Sequence, residues 1–353
     1  MTKNGMAANL ILTCPSCGAL LQDDLFCPTC REPAGRIIDG IPCFTDPDYY
    51  WGEISKSDMQ TTNERAQSVG WEKALRERIE DEDFLEYVCS PSRADFQYLW
   101  NLPENATVLD VGAGLGAITA SLSVRFSNVV AVEGVLERAR FVRIRMEQLH
   151  RPGVSVICAD LLRMPFAPGQ FQAVVLNGVL EWSAMTSMDP PRQTQLNFLR
   201  RIHELLTPGG LVCIGIENRF GWAMIRGAKD HSGLPYTSLV PRFLANWICR
   251  TWSGGYRATA NVGYRTYTYS LHGYHRLLEE AGFTSIRSYH AWEGYNMPKT
   301  LIPLENSKAI LWFITHVAGP SFHSVKRKAM ILCARLGLWP FFASDFVLIA
   351  DKR

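Results

Sequence analysis

The chain has 353 residues, 47% hydrophobic and 20% charged, enough for a large core and more than one domain. Its formal charge of +2 excludes an overall polyelectrolyte character that would point to a nucleic-acid partner. No apolar run reaches membrane-spanning length, the start MTKNGMAANLILTCP lacks signal-peptide architecture, and six of the ten cysteines are scattered, so the expectation is a soluble cytoplasmic protein.

The first feature in chain order is CPSCGALLQDDLFCPTC, two CxxC pairs with nine residues between them. Each pair can form a knuckle that aims two thiolates at one ion, and four thiolates close a tetrahedral shell around zinc. The predicted ligands are Cys14, Cys17, Cys27 and Cys30, and a closed shell makes the metal structural. The alternative is two chance pairs of buried cysteines. So small a segment could not bury enough core alone, so the metal would supply folding energy. With the following IIDGIP, the motif resembles the zinc-ribbon domain of methyltransferase activators, a ribbon also fused in front of some rRNA guanine methyltransferases. That resemblance covers residues 10–47 and leaves Cys43 outside the shell.

The predicted domains are the ribbon over 1–47, a helical linker over 48–101 and a catalytic domain over 102–353. The linker carries helical spacing in WEKALRERIEDEDFLEYV. Behind it, strands are predicted at 107–111, 129–133, 154–160, 173–178, 211–217, 284–290 and 345–351, with helices at 136–149 and 193–206. Strands alternating with helices make an α/β fold, a doubly wound and mostly parallel seven-stranded sheet.

The loop LDVGAGLGAIT joins the first of these strands to a helix. Gly112, Gly114 and Gly116, with Ala113 between, let the backbone turn sharply and approach a ligand that the helix N-terminus faces. Read as G-x-G-x-x-A with Ala117, the loop also fits a dinucleotide fingerprint. Context decides: Asp110, Glu133 and Asp160 end three successive strands, and three carboxylates suit a cation better than a pyrophosphate. Each acid also has a reading as a helix-start residue, most plainly Asp160.

VLDVGAGLGAIT, VVAVE, CADLLRMPF, VVLNGVLEW and ELLTPGGLVCIGIEN together resemble the class I S-adenosylmethionine-dependent methyltransferases, Rossmann-like folds, over about residues 107–218. The resemblance implies S-adenosylmethionine as methyl donor. It implies that Asp110, Gly112, Ala113, Gly114 and Gly116 hold the methionine end. Glu133 would hold the ribose, Asp160 with Leu161 the adenine, and Asn177 would sit under the donated methyl. One departure is Trp182, where the family commonly has His. The absence of an Asn-Pro-Pro-aromatic motif favours an oxygen nucleophile.

Residues 219–308 hold 11 Lys/Arg against 5 Asp/Glu and 15 aromatics, including Trp222, Tyr236, Trp252, Tyr256, Tyr264, Tyr267 and Tyr269. Basic and aromatic together suit an anionic, ring-bearing ligand, and 219–268 is the expected substrate insertion. The alternative is a second core with solvated arginines. The stretch from IENRF to VPR resembles methyltransferases of bacterial surface-polysaccharide gene clusters, which implies a sugar, nucleotide-sugar or lipid-linked glycan acceptor. RNA is the rival acceptor, and a non-catalytic adaptor the rival class. Residues 1–50 carry 3 Lys/Arg and 6 Asp/Glu, the wrong sign for gripping phosphate, so the ribbon docks onto the catalytic domain or meets a protein partner.

The expected helical insertion at 293–343 includes KRKAMILCARLGLWPFF, read as a cap over the sheet edge or as a membrane-surface helix. For the chemistry, His231 in AKDHSG is the candidate general base, with Asp230 beside it and Glu217 as a competing base. Asp230 could equally cap a turn, and His231 could be a surface histidine.

Overall fold

A computed structural model describes residues 10–252, 263–318 and 324–353. The described chain forms two compact units. The first holds residues 10–176, 204–211 and 352; the second holds 177–203, 212–351 and 353.

The first unit begins with the four-cysteine segment. Strands β1 (Phe26–Cys27) and β2 (Glu32–Pro33) pair antiparallel within it. Strands β3 (Arg36–Ile38) and β4 (Ile41–Cys43) follow as a hairpin closed by Asp39 and Gly40, both at positive φ (51° and 72°). An Asp-Gly pair supplies the twist that a two-residue hairpin needs. The segment is fastened to its unit at two places. Thr13 N–H donates to Pro165 O (2.9 Å), and Ala167 N–H to Ile11 O (3.1 Å). Ile41 and Cys43 pack with Leu136, Ala139 and Cys158 in one apolar cluster.

Three helices come next: α1 (Lys56–Val69), α2 (Trp71–Arg78) and α3 (Glu82–Cys89). Ser55 and Asp81 start the first and third by accepting backbone N–H bonds, as short polar N-caps do. Met59, Leu75 and Leu85 pack them onto Phe141 and Ile144. The sheet then builds from β5 (Thr107–Val111), β6 (Asn128–Glu133), β7 (Val154–Cys158), β8 (Phe171–Asn177) and β9 (Leu206–Glu217), which starts in the first unit and ends in the second. The order in the first unit is β9-β8-β5-β6-β7-β4-β3. The β5–β6, β5–β8, β6–β7 and β4–β7 pairs are parallel. Helices α4 (Ala117–Arg125) and α5 (Leu136–Gln148) make the crossovers. TVLDV and NVVAVE are almost wholly buried, the mark of strands covered on both faces.

The second unit holds α6 (Pro191–Leu205), which ends in the first unit, then α7 (Trp222–Ile225), α8 (Arg242–Thr251), α9 (Leu271–Glu280), β10 (Thr284–Trp292), β11 (Thr300–Pro303), α10 (Ser307–Phe313), α11 (Ser324–Arg335), α12 (Trp339–Phe342) and β12 (Asp345–Asp351). Its strand order is β9-β12-β10-β11, with β10 antiparallel to both neighbours.

The doubly wound, mostly parallel α/β sheet is present, but the expected strand count of seven is too low. The hairpin β3–β4 extends the sheet beyond β7, and β11 extends it beyond β10. IIDGIP was assigned to the ribbon alone, and TLIP is too short to show period-two alternation. The segment 293–343, expected to be helical, therefore opens with a strand. No described helix is long and apolar enough to cross a membrane.

Candidate active site

Strand β5 ends at Val111, and the glycine loop turns the chain into α4. Gly112, Gly114 and Gly116 all take positive φ (71°, 59° and 79°), where a side chain would be strained. Gly112 and Ala113 donate their N–H groups to Val132 O at 2.8 and 3.0 Å, which ties the loop to β6. A Cβ on Gly116 would stand 3.3 Å from both methyls of Val142. The N-cap of α4, Gly116, has no side chain to cap the first turn, and the Asp110 carboxylate faces the backbone of Thr119 in that turn.

Each of the three acids is engaged. Asp110 is buried and accepts from Thr119 Oγ1 at 2.6 Å. Burial pushes its pKa up to about 6, with the Thr119 hydrogen bond and Arg93 pulling the other way. Glu133 accepts from Gly114 N–H at 2.8 Å and from Val135 N–H at 3.2 Å, so one carboxylate braces the loop and the following turn. Its pKa is also raised by burial. Asp160 accepts from Leu162 N–H at 2.8 Å and starts the short helix Leu161–Arg163, so the helix-start reading describes its hydrogen bond. A carboxylate has about four acceptor sites, so these bonds leave capacity for ligand hydroxyls or amines. Tyr49 was missed. Its phenol is raised by burial and then by the charges of Asp160 and Glu133. The aromatic run DYYW was its only signal in the sequence. Asn177, the last residue of β8, is buried and donates to Asn296 Oδ1 at 3.2 Å within the second unit.

Residues 109–214 match the family model described as methyltransferase domain. This part of the chain is similar to methyltransferase domains. The chain is 31% identical over 114 residues to a 2-phytyl-1,4-naphtoquinone methyltransferase of Thermosynechococcus vestitus, covering 32% of this chain and 47% of that protein. It is 34% identical over 125 residues to a carboxy-S-adenosyl-L-methionine synthase of Pseudomonas putida, covering 33% and 47%. The chain thus spans about half the length of these relatives. It is also similar to the structure of a possible histamine N-methyltransferase from Thermotoga maritima, at 14% identity and a TM-score of 0.44, covering 80% of this chain and 98% of that one.

Ahead of the methyltransferase domain, the four predicted ligand sulfurs converge: Cys14, Cys17, Cys27 and Cys30 Sγ all lie within 4.8 Å of one another. Cys14 and Cys30 are 3.9 Å apart, Cys17 and Cys27 3.5 Å. A tetrahedral zinc with Zn–S bonds of about 2.3 Å needs sulfurs roughly 3.8 Å apart. Cys43 stands apart in β4, its thiol against Thr45.

The second unit assembles a different cluster. His231 Nε2 lies 3.1 Å from Glu217 Oε1 and 3.7 Å from Glu181 Oε1. Glu217 ends β9, and Glu181 sits on the short helix Leu180–Trp182 just past β8. His231 and Glu217, read as competing bases, are brought together, and Glu181 was missed. It lies inside NGVLEW, one position before the Trp182 that drew attention. Trp182 in fact packs on His231, ring centroids 4.5 Å apart. Burial disfavours the charged imidazole, but Glu217 and Glu181 outweigh it and raise its pKa to about 9. Burial and the neighbouring Glu217 push Glu181 up to about 8. Asp230 follows its turn-capping alternative: it accepts from Ser232 N–H at 2.8 Å, Thr237 Oγ1 at 2.7 Å and the Tyr264 hydroxyl at 3.3 Å.

The basic, aromatic insertion is packed more inwardly than its composition implied. Arg242 stacks on Tyr267, 4.1 Å from the ring centroid, and Tyr264 is buried. Arg219 donates to Ser238 O and Val240 O, and Arg265 to Ala184 O, Ser187 O and Asp189 O. These arginines staple loops. Trp222, Tyr236, Trp247 and Trp252 remain exposed. Tyr256 lies outside the described residues.

Proposed function

We propose that this chain is an S-adenosylmethionine-dependent methyltransferase acting on a small-molecule or glycan acceptor at oxygen. The observation that carries the donor reading is the glycine loop, with three left-handed glycines and Gly114 N–H held on Glu133. The family match over 109–214 supports it. Among the relatives, one is named for a naphthoquinone and another for a carboxylated form of S-adenosylmethionine, so the shared segment supports donor handling rather than one acceptor.

When bound, the donor supplies an activated methyl. The residues for it are the Asp110 carboxylate for the ammonium, Glu133 for the ribose hydroxyls and Asp160 with Leu161 for the adenine edge. Asp110 and Glu133 are buried and already oriented by hydrogen bonds, so little ordering is left to do on binding.

The glycan acceptor rests on the exposed aromatics Trp222, Tyr236, Trp247 and Trp252 rather than on the insertion's arginines, most of which hold backbone carbonyls. Helix α11 exposes Val325 and Leu332, with Lys328 and Arg335 also exposed on it, and Leu336 just past its end is exposed too. Such a face supports a peripheral contact with an anionic membrane, where a lipid-linked acceptor would be found. We assign one structural zinc to the four cysteines, whose sulfur spacing fits its shell.

The test is transfer of label from tritiated S-adenosylmethionine into a fractionated extract. Label in saccharide, lipid-linked glycan or small-molecule fractions supports the reading. Label confined to RNA or protein would overturn the acceptor class.

A further inference from the structure

The Glu181, Glu217 and His231 cluster raises a problem of charge. Glu181 is completely buried, and neither of its carboxylate oxygens has a hydrogen-bond partner among the described residues. Oε2 of Glu217 and Nε2 of His231 are buried and equally without a hydrogen bond. Oε1 of Glu217 accepts from the Tyr295 hydroxyl at 3.0 Å. A buried carboxylate with no donor costs several kcal/mol unless it is neutralised or ligated (roughly 2–7 for a polar group). Asp345 adds a further acid close enough to feel Glu217, and its own pKa is pushed up to about 8, chiefly by burial. Glu181 and Glu217 share the imidazole of His231, and no described lysine or arginine makes an ion pair with either.

We infer that Glu181, Glu217 and His231 form a binding site for one divalent cation of the Mg2+ or Mn2+ type. The donor atoms are gathered for it: one from each residue, all within 4.8 Å of one another. The 3.1 Å between His231 Nε2 and Glu217 Oε1 matches neighbouring ligands of an octahedral ion with bonds of about 2.1–2.2 Å. Two carboxylates and a neutral imidazole around a dication sum to zero charge, so the ion takes the place of the protons that otherwise neutralise these groups. Tyr295 donates to Glu217 Oε1 and fixes the carboxylate's orientation, the arrangement typical of an outer-shell partner, and that oxygen keeps lone-pair capacity for the ion. Three protein ligands leave about half of an octahedral shell for water or an acceptor oxygen. The site lies just past the carboxyl ends of β8 and β9, where ligands of open α/β sheets are held.

The donor set is mixed oxygen and nitrogen, in contrast to the all-sulfur cluster of the four cysteines. Soft thiolates select zinc, while carboxylates accept Mn2+ and Mg2+, so the two sites can be titrated apart in one protein. The inference does not rest on the methyl-donor reading, because it is read by metal binding alone.

The experiment uses the full chain with its cysteine site filled with zinc, titrated with Mn2+ and followed by electron paramagnetic resonance. The expected result is one Mn2+ per chain, displaced by excess Mg2+. Electron spin-echo modulation should show one histidine nitrogen coupled to the manganese, and that coupling should vanish in His231→Gln. Glu181→Gln should weaken Mn2+ binding at least tenfold. Absence of bound Mn2+ in the wild-type chain would overturn the site. So would binding without nitrogen coupling, or binding that Glu181→Gln leaves unchanged. Should Glu181→Gln fail to fold, the nitrogen coupling in the wild-type protein decides alone.

Discussion

The donor loop of the first unit and the carboxylate–histidine cluster of the second both gather buried acids, and they treat them in opposite ways. In the loop, Asp110 holds Thr119, Glu133 holds Gly114 and Val135, and Asp160 holds Leu162. In the cluster, Glu181 accepts no hydrogen bond and has only the His231 imidazole 3.7 Å away, and Glu217 keeps one oxygen unbonded. Satisfied acids brace a backbone so that it meets a ligand without rearranging. Unsatisfied buried acids mark a place where a positive charge is expected to arrive.

The largest expected effect concerns the metal clasp. Cys27→Ser should lose about one equivalent of zinc by metal analysis. Because the segment is fastened through Thr13, Ile11 and β4 to the unit that contains the donor loop, the damage should not stay local. Losing a structural metal should cost at least ~3 kcal/mol, a fall in Tm of roughly 6–12 °C by calorimetry. A variant that lost zinc with Tm unchanged would show the segment to be an independent appendage.

Next in size is Glu133→Ala, which removes the brace on Gly114 together with the ribose acceptor. Donor affinity should fall by about 1.5–3 kcal/mol, or ten- to a hundredfold, by titration calorimetry. An unchanged affinity would show that Glu133 serves the loop's backbone and not the donor.

A comparable effect should appear with pH. Burial raises Asp110 to about 6, so without the donor this carboxyl is protonated in mild acid. Its folded pKa lies above the unfolded one, so its contribution to stability is present below about pH 4 and lost as pH rises through 6. The donor's ammonium favours the ionised form, so binding should release a proton below pH 6. Affinity should be about tenfold weaker at pH 5 than at pH 7.5. A flat profile would remove Asp110 from the ammonium.

The smallest expected effect is that of Asp230→Asn, which separates the turn from the cluster. Because Asp230 bonds Ser232, Thr237 and Tyr264, the change should lower stability by about 1 kcal/mol in urea unfolding. It should leave Mn2+ binding within about twofold. A large loss of Mn2+ affinity would place Asp230 in the cluster after all.

What the sequence could show follows from range. The glycine loop, the strand-end acids and the paired CxxC motifs are local signals, each tied to a turn or a strand end, and the chain folds them where they stand. The cysteine sulfurs meet although the ends of the motif are sixteen positions apart, because two knuckles on one hairpin are still local geometry. Glu181 could not be read this way. It meets His231 from fifty residues away, and a glutamate in NGVLEW carries no pattern that announces burial. Arg219, Arg242 and Arg265 misled for a related reason: composition counts charges but does not say whether a guanidinium faces solvent or a carbonyl. Strand β3 and strand β4 were hidden because the Asp-Gly hairpin was read as part of the ribbon, and their pairing partner β7 lies over a hundred residues on.

The central claim is that the loop between β5 and α4 binds S-adenosylmethionine. Titration calorimetry of the purified chain against S-adenosylmethionine and, separately, NAD tests it most directly. The account predicts one equivalent of S-adenosylmethionine with micromolar affinity, weakened by Glu133→Ala, and no heat from NAD. Binding of NAD with no binding of S-adenosylmethionine would contradict it.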